Sequence, residues 1–564
     1  MSEKIKTWLR SAVLFLILLL PNVYACFVAS DLASPVKAVA YMLVVCAGLT
    51  LPMLLFRRRT YFIVVGVLGL FGAPIEIASL YLNHNPATAT FVGLFYATNW
   101  QEITGVVSAV WPLAIGLVAI WVGYFWLASR QPNEWIIPRR VGLWMVGIGA
   151  PVLFGAAILF FSHYAKNIYN IQSTREAAVF AKDLTLMKFY KIYPYNIYLN
   201  SYHIAVERRQ MLREQQTLES FRFGLTGSED AEPELYILVI GEAARSGNFG
   251  LNGYAHETTP RLSHRKNIVS YPHIYSQAGT TEVSLPHMLS RISAAHHEEV
   301  YKEKTLPEAF QEVGFEAAWI TNQSRILCTK RVLEAVDRRF ETGKDMSVTN
   351  NYDELLFRPL KEILDKGKTQ FVVLHTMGSH WRYDTRYTEE FEVFTPSLGK
   401  DFTLTMINPA NKQRLVNAYD NTIRYTDWFL DSICSLVEQQ HKPALVVYMS
   451  DHGENLYDDA RKLVLHGNYS ASQWLFHVPL IVWYSDEYAA LYPDKVAQLR
   501  AHKESRDNSS MLFASMIDAA GLHYKNDTAS NAAMRTRSIF SADYRSPDTL
   551  FVLTTEGEYI PLDK

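Results

Sequence analysis

Hydrophobic residues are concentrated in the first 162 positions of the chain, where they form five long apolar runs. Each run has about the length, roughly 20 residues, that an α-helix needs to cross the hydrocarbon core of a bilayer. The first run resembles a secretory signal, but four more follow it, so we interpret it as a retained anchor. The pattern predicts a transmembrane domain of five helices over residues 1–162. The five runs cover residues 11–28, 36–56, 61–82, 105–128 and 141–162.

Lys and Arg residues indicate how these helices are oriented. They precede the first run and lie between the second and third and between the fourth and fifth, whereas residues 83–104 contain none. Connecting segments rich in Lys and Arg face the cytoplasm. Because the number of predicted spans is odd, everything after residue 162 is then expected on the outer face of the membrane.

One ionisable residue, Glu76, lies within the third apolar run. An ionisable group inside a membrane is costly and often functional. We favour the alternative that Glu76 lies near the outer interface and extends its carboxylate toward water.

Residues 163–234 differ from the segments on either side and are interpreted as juxtamembrane helices followed by a linker. Ile204, Met211 and Leu218 recur at a spacing of seven among charged residues, which is typical of an amphipathic helix. Such a helix either lies at the membrane surface or packs on the exported domain. The linker is the polar stretch "TGSEDAEPE" at residues 226–234.

From residue 235 onward, short continuous apolar runs alternate with helix-like stretches. This alternation predicts an α/β domain over residues 235–564, with a largely parallel sheet covered by helices on both faces. Polar residues follow the runs: Glu242 after the first, His380 after the third, and Asp451 with His452 after the fourth. Because sites in such sheets form at the carboxyl ends of the strands, we expect these side chains to converge. The runs are "LYILVIGE", "AAWITNQ", "QFVVLHTMGSH", "ALVVYMSDHGE" and "PLIVWYSD".

Charge and cysteine content change this picture little. The net charge is −2, so nothing points to a nucleic-acid partner. Of the four cysteines, only Cys328 and Cys434 lie after residue 162, which allows one disulfide but no disulfide framework.

Asp451 and His452 together suit a zinc or manganese ion, and Glu242 supplies a second carboxylate. The alternative is that these acidic residues cap the helices that follow. The stretch "AGTTEVSLPHML" contains two adjacent threonines, Thr280 and Thr281. A threonine hydroxyl becomes a nucleophile when a metal ion activates it, whereas an ordinary Thr-Thr pair satisfies local backbone groups.

Two histidines, His380 in "MGSHWRY" and His466 in "LVLHGNY", are candidates for protonating a leaving oxygen or holding a phosphate. Either is also able to bind a second metal ion. A single histidine is more often structural, but two histidines in glycine-flanked loops near one proposed site leave the structural and functional roles equally open.

An ordered set of motifs gives the chain its resemblance to a known family. They resemble those of the membrane-bound phosphoethanolamine transferases of the alkaline phosphatase and sulfatase superfamily, and the resemblance covers the anchor and nearly all of the exported domain. The motifs are "IGEAARSGNFGLNGYAHETTPRL", "GTTEVSLPHML", "TMGSHWRY", "AYDNTIRYTDWFL", "MSDHGE" and "LHGNYSASQWLFHVPLIVWYS".

The resemblance implies a role for each residue that matches the family's motifs. The nucleophile would be Thr281 rather than Thr280, because it precedes Ser284 and Pro286 in the family's register. His380 and His466 match two further active-site histidines. In "TNWQE", Thr98 and Glu102 match an element that helps to seat the lipid. The implied zinc site consists of Glu242, Thr281, Asp451 and His452.

The implied function is transfer of phosphoethanolamine from phosphatidylethanolamine to a lipopolysaccharide or periplasmic glucan, at a bacterial inner membrane with the catalytic domain in the periplasm. The lipid A-modifying branch flanks its nucleophile with paired cysteines, where this chain has Gln277 and His287. The chain therefore resembles more closely the branch that acts on lipopolysaccharide core sugars or glucans.

Three rival functions remain open at this point. The chain is alternatively a transferase of glycerol phosphate from phosphatidylglycerol, a phosphatase or sulfatase-like hydrolase, or a membrane receptor that retains the fold without catalysis. Sulfatases use a modified Cys or Ser as the nucleophile, and position 281 holds neither.

Overall fold

The structure, a computed structural model, forms two compact units, Met1–Arg208 and Arg209–Lys564. The boundary between the units falls within the predicted juxtamembrane segment. Thr98 and Glu102, the predicted lipid-seating residues, lie outside the described residues. The structure describes residues 2–29, 35–83, 86–88, 91–93, 111–149, 155, 192–227, 233–323, 327–342, 352–364, 368–399, 406–466, 472–554 and 558–562.

The first unit is helical. Within the described residues, two helices are long and apolar enough to cross a membrane, Glu3–Val28 and Arg58–Tyr81, and two shorter apolar helices are Tyr41–Leu54 and Ile115–Ser129. Most of the fifth predicted span lies outside the described residues, so the five-span topology stays a prediction. The helices are α1 Glu3–Val28, α2 Pro35–Thr50, α3 Arg58–Asn83, α4 Trp111–Ser129, α5 Arg139–Trp144 and α6 Tyr195–Gln215, which continues into the second unit.

Helices α1, α3 and α4 pack around a buried apolar core that includes Leu18, Phe62 and Tyr124. Gly66 allows α3 and α4 to approach closely, since an added Cβ would lie 2.3 Å from the ring of Tyr124. The Tyr124 hydroxyl donates to the Phe62 carbonyl at 2.9 Å, so the buried ring has a partner for its polar end.

The second unit is built on an eight-stranded sheet with the strand order β11–β3–β10–β7–β2–β6–β4–β5. Strand β10 runs antiparallel to both of its neighbours, and the remaining neighbouring pairs are parallel. The sheet is β2 Leu235–Gly241, β3 Ile268–Tyr275, β4 Glu316–Thr321, β5 Arg338–Glu341, β6 Gln370–His375, β7 Ala444–Ser450, β10 His477–Tyr484 and β11 Asp507–Asn508. Shorter strands are β1 Leu225–Thr226, β8 Asn455–Leu456, β9 Val464–Leu465, β12 His523–Tyr524, β13 Phe551–Leu553 and β14 Tyr559–Pro561.

Helices cover the central strands, and every residue of β2, β6 and β7 is buried. This explains why those strands read as continuous apolar runs, and the predicted mixed, largely parallel α/β fold is confirmed. The helices are α7 Pro260–His264, α8 Thr281–Met288, α9 Leu306–Glu312, α10 Leu327–Ala335, α11 Phe357–Leu364, α12 Lys412–Glu438, α13 Gln473–Phe476, α14 Asp486–Leu491, α15 Pro493–Ala501, α16 Met511–Ala519 and α17 Thr528–Arg537.

Cys434 lies in α12 as a free, buried thiol. Burial raises the pKa of this thiol to about 12, so it stays protonated and unreactive at neutral pH.

Candidate metal and nucleophile site

Four neighbouring parallel strands, β7, β2, β6 and β4, end at the same edge of the sheet. Asp451 and His452 follow β7 directly, and Glu242 follows β2. His380 comes five residues after β6, and Gln323 two residues after β4. The structure therefore brings the predicted strand-end residues to one edge and adds Gln323 to them.

The turn after Glu242 is held in an unusual backbone conformation. Ala243 has a φ of 54°, in the left-handed region that alanine rarely adopts. The Tyr419 hydroxyl donates to the Ala243 carbonyl at 2.6 Å and accepts from the Arg245 N–H at 2.9 Å. Gly378 packs against the same turn, where an added Cβ would lie 2.9 Å from the backbone N and O of Glu242. These contacts fix the direction of the Glu242 side chain.

Thr281 is the first residue of α8, and its hydroxyl reaches the strand-end residues. Its Oγ1 donates to Glu242 Oε2 at 3.0 Å and lies 3.3 Å from His452 Nε2. Thr280 is the buried residue that precedes the helix. The threonine chosen from the family register is therefore the one whose hydroxyl contacts two of the predicted ligands, Glu242 and His452.

His452 presents Nε2 to the carboxylates. Its Nδ1 lies 2.7 Å from the Gly453 carbonyl, and because a carbonyl only accepts, Nδ1 carries a proton. Nε2 is 3.2 Å from Glu242 Oε1 and 3.5 Å from Asp451 Oδ2. This arrangement, with one ring nitrogen bound to the backbone and the other facing carboxylates, is usual for a metal-binding histidine.

The three buried groups perturb one another strongly. Burial and the neighbouring Glu242 carboxylate raise the pKa of Asp451 to about 7. Burial opposes ionisation of Glu242 too, but the hydrogen bond and charge of His452 hold the pKa of Glu242 well below its usual range. Burial would lower the pKa of His452, yet Asp451 and Glu242 raise it to about 10. Two buried carboxylates thus share one positive charge.

Two buried carboxylate oxygens at this edge, Glu242 Oε1 and Asp451 Oδ2, make no hydrogen bond of good geometry within the described residues, although His452 Nε2 lies 3.2 and 3.5 Å from them. Such orphaned oxygens are costly unless a cation binds them. Carboxylate oxygens and an imidazole nitrogen are donors that suit zinc. The residues therefore fit a divalent metal ion.

His466 joins this cluster, and His380 lies beside it. The ligand atoms of Glu242, His452 and His466 all lie within 4.8 Å of one another. The rings of His452 and His466 are 4.5 Å apart between centroids, and those of His380 and His466 are 5.9 Å apart. His380 Nδ1 donates to the Trp381 carbonyl at 2.6 Å, which fixes its ring as well.

Sequence reasoning missed two residues that orient the site. Gln323 Nε2 donates to Glu242 Oε2 at 2.8 Å and to the Thr376 carbonyl at 2.8 Å. Glu454, fully buried, lies 3.2 Å from His466 Nδ1 through Oε1. Gln323 had the same signal as Glu242, a polar residue just after an apolar strand, and Glu454 stands in "SDHGE" beside the recognised pair.

A largely parallel sheet whose carboxyl edge gathers a threonine hydroxyl, carboxylates and imidazoles fitted to a metal ion is the architecture of the alkaline phosphatase superfamily. The family model described as Sulfatase matches residues 234–522. The chain belongs to the sulfatase family.

Among curated relatives, phosphoethanolamine transferase EptA of Salmonella typhimurium is 32% identical over 299 residues, or 51% of this chain and 53% of that protein. The chain thus matches about half the length of this relative. The resemblance to phosphoethanolamine transferases is confirmed at this level.

Two solved structures share the fold. The integral membrane protein lipooligosaccharide phosphoethanolamine transferase A (EptA) from Neisseria meningitidis has a TM-score of 0.65 at 22% identity, covering 86% of this chain and 87% of that one. The C-terminal periplasmic domain of EcEptC from Escherichia coli, in complex with Zn, has a TM-score of 0.51 at 22% identity, covering 60% of this chain and 94% of that one.

Proposed function

We propose that this protein transfers phosphoethanolamine from phosphatidylethanolamine to a hydroxyl group of a lipopolysaccharide or periplasmic glucan, at the outer face of a bacterial inner membrane. The observation that carries the proposal is the Thr281 hydroxyl within hydrogen-bond distance of Glu242 and His452. Threonine at this position, in place of the modified Cys or Ser of sulfatases, favours transfer of a phosphoryl group.

The metal expected at the site is zinc. Glu242, Asp451, His452 and Thr281 would hold it, and when bound it supplies Lewis-acid stabilisation of the threonine alkoxide and of phosphoryl oxygens. Support comes from the two orphaned carboxylate oxygens and from the zinc complex of the EcEptC domain. His380 and His466 are the donors available for a second ion.

In the first half-reaction the Thr281 hydroxyl, which the hydrogen bond to Glu242 orients, releases its proton to the solvent. Oγ1 then attacks the phosphorus of the donor, and the bond from phosphorus to the diacylglycerol oxygen breaks. His466 or His380 donates a proton to that oxygen, which yields neutral diacylglycerol and phosphoethanolamine on Thr281.

In the second half-reaction an acceptor hydroxyl attacks the same phosphorus. The now neutral histidine takes the proton of that hydroxyl, the bond to Thr281 Oγ1 breaks, and Oγ1 regains a proton from the solvent. Buried Glu454, whose Oε1 lies 3.2 Å from His466 Nδ1, orients the imidazole ring for this proton transfer.

Several features support a lipid donor. The helices of the first unit provide a membrane anchor, which raises the local concentration of a lipid substrate. We assign Thr98 and Glu102 to seating this donor. A core-sugar or glucan acceptor is favoured by Gln277 and His287, which replace the paired cysteines of the lipid A-modifying branch.

The test is capture of the intermediate on the full-length, zinc-loaded protein. Incubation with headgroup-labelled phosphatidylethanolamine should leave phosphoethanolamine on the peptide that contains Thr281, as read by mass spectrometry. Thr280→Ala should still form the adduct, whereas Thr281→Ala should not. Free labelled phosphoethanolamine without an adduct, or an adduct from phosphatidylglycerol instead, would overturn the proposal.

The acceptor is identified separately, by mass spectrometry of lipopolysaccharide and glucans from cells with and without the gene. A phosphoethanolamine increment on one of these molecules names the acceptor. An unchanged envelope in both preparations would contradict the assigned acceptor class.

A further inference from the structure

Helix α8, which begins with Thr281, is too short to hold its own position. It has eight residues, and Pro286 lies within it. Proline has no N–H to donate to the carbonyl four residues earlier, and helices of this length are unstable in isolation. Contacts from outside the helix must therefore fix the position of the Thr281 hydroxyl.

Two buried side chains, Gln277 before α8 and His287 in its last turn, bind the same short segment of the chain. Gln277 Oε1 accepts from the Ala294 N–H at 2.9 Å. His287 Nδ1 donates to the Ile292 carbonyl at 3.0 Å. A single segment, residues 292–294, is thus hydrogen-bonded to the residue four positions before Thr281 and to the residue six positions after it.

A third side chain, His297, completes this arrangement. The Ile292 carbonyl only accepts, so the His287 proton sits on Nδ1 and, in the neutral ring, Nε2 accepts. His297 Nδ1 lies 2.9 Å from that Nε2 and is therefore the donor. The hydrogen bonds run in one direction, from His297 to His287 to the backbone of residue 292.

The surroundings keep His287 neutral, as this direction requires. His287 is fully buried, and burial lowers its pKa to about 4. The side chain of Gln277 is buried too, and its backbone N–H donates to Ser509 Oγ at 3.2 Å. Gln277, whose side chain accepts from Ala294, is thus also held through its backbone by Ser509, which directly follows strand β11.

We propose that Gln277, His287 and His297 are positioning residues, which brace α8 against residues 292–294 so that the Thr281 hydroxyl stays aligned with Glu242 and His452. In this brace, hydrogen bonds to a shared segment tie down both flanks of the nucleophile. Its catalytic consequence rests on the proposed function of Thr281, whereas the brace itself does not.

The first test measures backbone protection in the full-length protein by hydrogen exchange and mass spectrometry. His297→Ala removes the donor to His287 Nε2, so peptides covering residues 278–289 should exchange at least several-fold faster. His296→Ala is the matched control, because His296 is exposed and stands next to His297 outside the brace. Equal exchange in the two variants would overturn the brace, whatever reaction the protein catalyses.

The second test separates positioning from a general loss of structure. His297→Ala should lower kcat for formation of the Thr281 adduct roughly 10- to 100-fold, since a small misplacement of a reacting atom has effects of that size. KM for the donor and bound zinc should stay within about twofold of the parent. His297→Asn, which keeps an N–H donor, should recover most of the rate. Loss of zinc or unfolding in His297→Ala, or no recovery in His297→Asn, would contradict positioning through this hydrogen bond.

Discussion

Two buried glutamates, Glu76 in the helical unit and Glu242 in the second unit, have different surroundings. In the helical unit, Glu76 Oε2 accepts from Asn196 Nδ2 at 2.6 Å and from the Ala87 N–H at 3.1 Å. In the second unit, Glu242 also accepts from uncharged donors, Thr281 and Gln323, but it sits beside a second buried carboxylate, Asp451, and 3.2 Å from His452 Nε2. Glu76 connects α3 to Ala87 and Asn196 within the helical unit, whereas Glu242 belongs to a cluster that fits a metal ion.

The comparison is sharpened by what surrounds each carboxylate. Glu76 has uncharged partners from an amide side chain and a backbone N–H, which is how a protein stabilises a buried acid for structural purposes. Glu242 faces His452 and Asp451, whose charges respond to any cation that binds. Both glutamates have uncharged donors, and the titrating neighbours Asp451 and His452 are what distinguish the candidate site around Glu242.

The largest effect is expected at the nucleophile. Thr281→Ala removes the attacking oxygen and should lower transfer more than about 1,000-fold, as loss of a nucleophile does in other enzymes. Thr280→Ala should retain activity within a few-fold, because the Thr280 side chain makes no capping hydrogen bond to α8. Steady-state transfer by both variants provides the measurement, and similar losses in the two would remove the distinction between the threonines.

Metal content tests the contrast between the two glutamates directly. Glu242→Gln removes a charged ligand and should weaken zinc binding more than about 100-fold, with activity lost in parallel. Glu76→Gln should leave zinc content unchanged. Both are measured by metal analysis of the purified protein after dialysis. If Glu242→Gln still binds zinc at full occupancy, Glu242 is not a ligand and the zinc site lies elsewhere in the protein.

A smaller loss is expected when Gln323, which holds Glu242, is replaced. Gln323→Leu removes the amide that donates to Glu242 Oε2 and should lower metal affinity or activity roughly 10- to 100-fold. Gln323→Glu is the informative partner, since it keeps the size but adds a negative charge beside Glu242. Zinc titrations of both variants should show weaker binding than in the parent protein. Unchanged zinc affinity in Gln323→Leu would show that Gln323 only fills space and does not orient Glu242 for metal binding.

Acid sensitivity should also arise in the second unit. Burial lowers the pKa of His375 to about 4, below the value of about 6.5 in an unfolded chain. The folded state thus excludes a proton that the unfolded state accepts, so this contribution is fully present above about pH 6.5 and is lost as the pH falls toward 4. The free energy of unfolding should fall by up to about 1.4 kcal/mol per pH unit from this group.

The measurement for His375 is the midpoint of unfolding between pH 7 and pH 4, compared with His375→Asn. The variant is expected to start from a lower stability but to show a shallower slope. His287, whose pKa is also about 4, contributes in the same direction, so its slope should remain in His375→Asn. An unchanged slope in His375→Asn would show that this imidazole does not titrate on unfolding.

The smallest effect is expected at Glu76. Glu76 Oε1 and Asn196 Oδ1 both lack a donor among the described residues. In Glu76→Gln the amide oxygen can still accept from Asn196 and the Ala87 N–H, and the amide N–H₂ group can donate to Asn196 Oδ1. Tm should therefore change by less than about 2 °C. Glu76→Leu instead leaves the Asn196 and Ala87 N–H groups unsatisfied and should lower Tm clearly. A loss of transfer in Glu76→Gln without a change in Tm would give Glu76 a functional role.

Sequence patterns predicted the central strands well because those strands are buried on both faces, so their residues are continuously apolar. Strand β3 was missed for a physical reason. Its sequence "IVSYPHIY" contains Pro272, and the pairing with β10 shifts register at this point. The Pro272 carbonyl instead accepts from Ser246 Oγ at 3.1 Å and His477 Nε2 at 2.6 Å. A proline that interrupts an apolar run therefore does not exclude a strand.

Prediction was strongest for residues whose position along the chain fixes their position in space. Glu242, Asp451 and His452 directly follow strands, so the sheet itself brings them together. Glu76 was expected near water, but it is fully buried, because Asn196, 120 residues away along the chain, provides its partner. Partners of this kind carry no local signal, and the brace around α8 is invisible in the sequence for the same reason.

The chain distances within the site have a consequence for how the ion would be acquired. Thr281 is 39 residues from Glu242 and 171 residues from His452, so the donors meet only after strands β2 and β7 lie side by side. An unfolded chain offers no such constellation, and the free energy of zinc binding would count almost entirely toward the native state. Zinc would then bind after the second unit has folded, in whichever compartment that folding occurs. The bound ion would stabilise the folded sheet against unfolding.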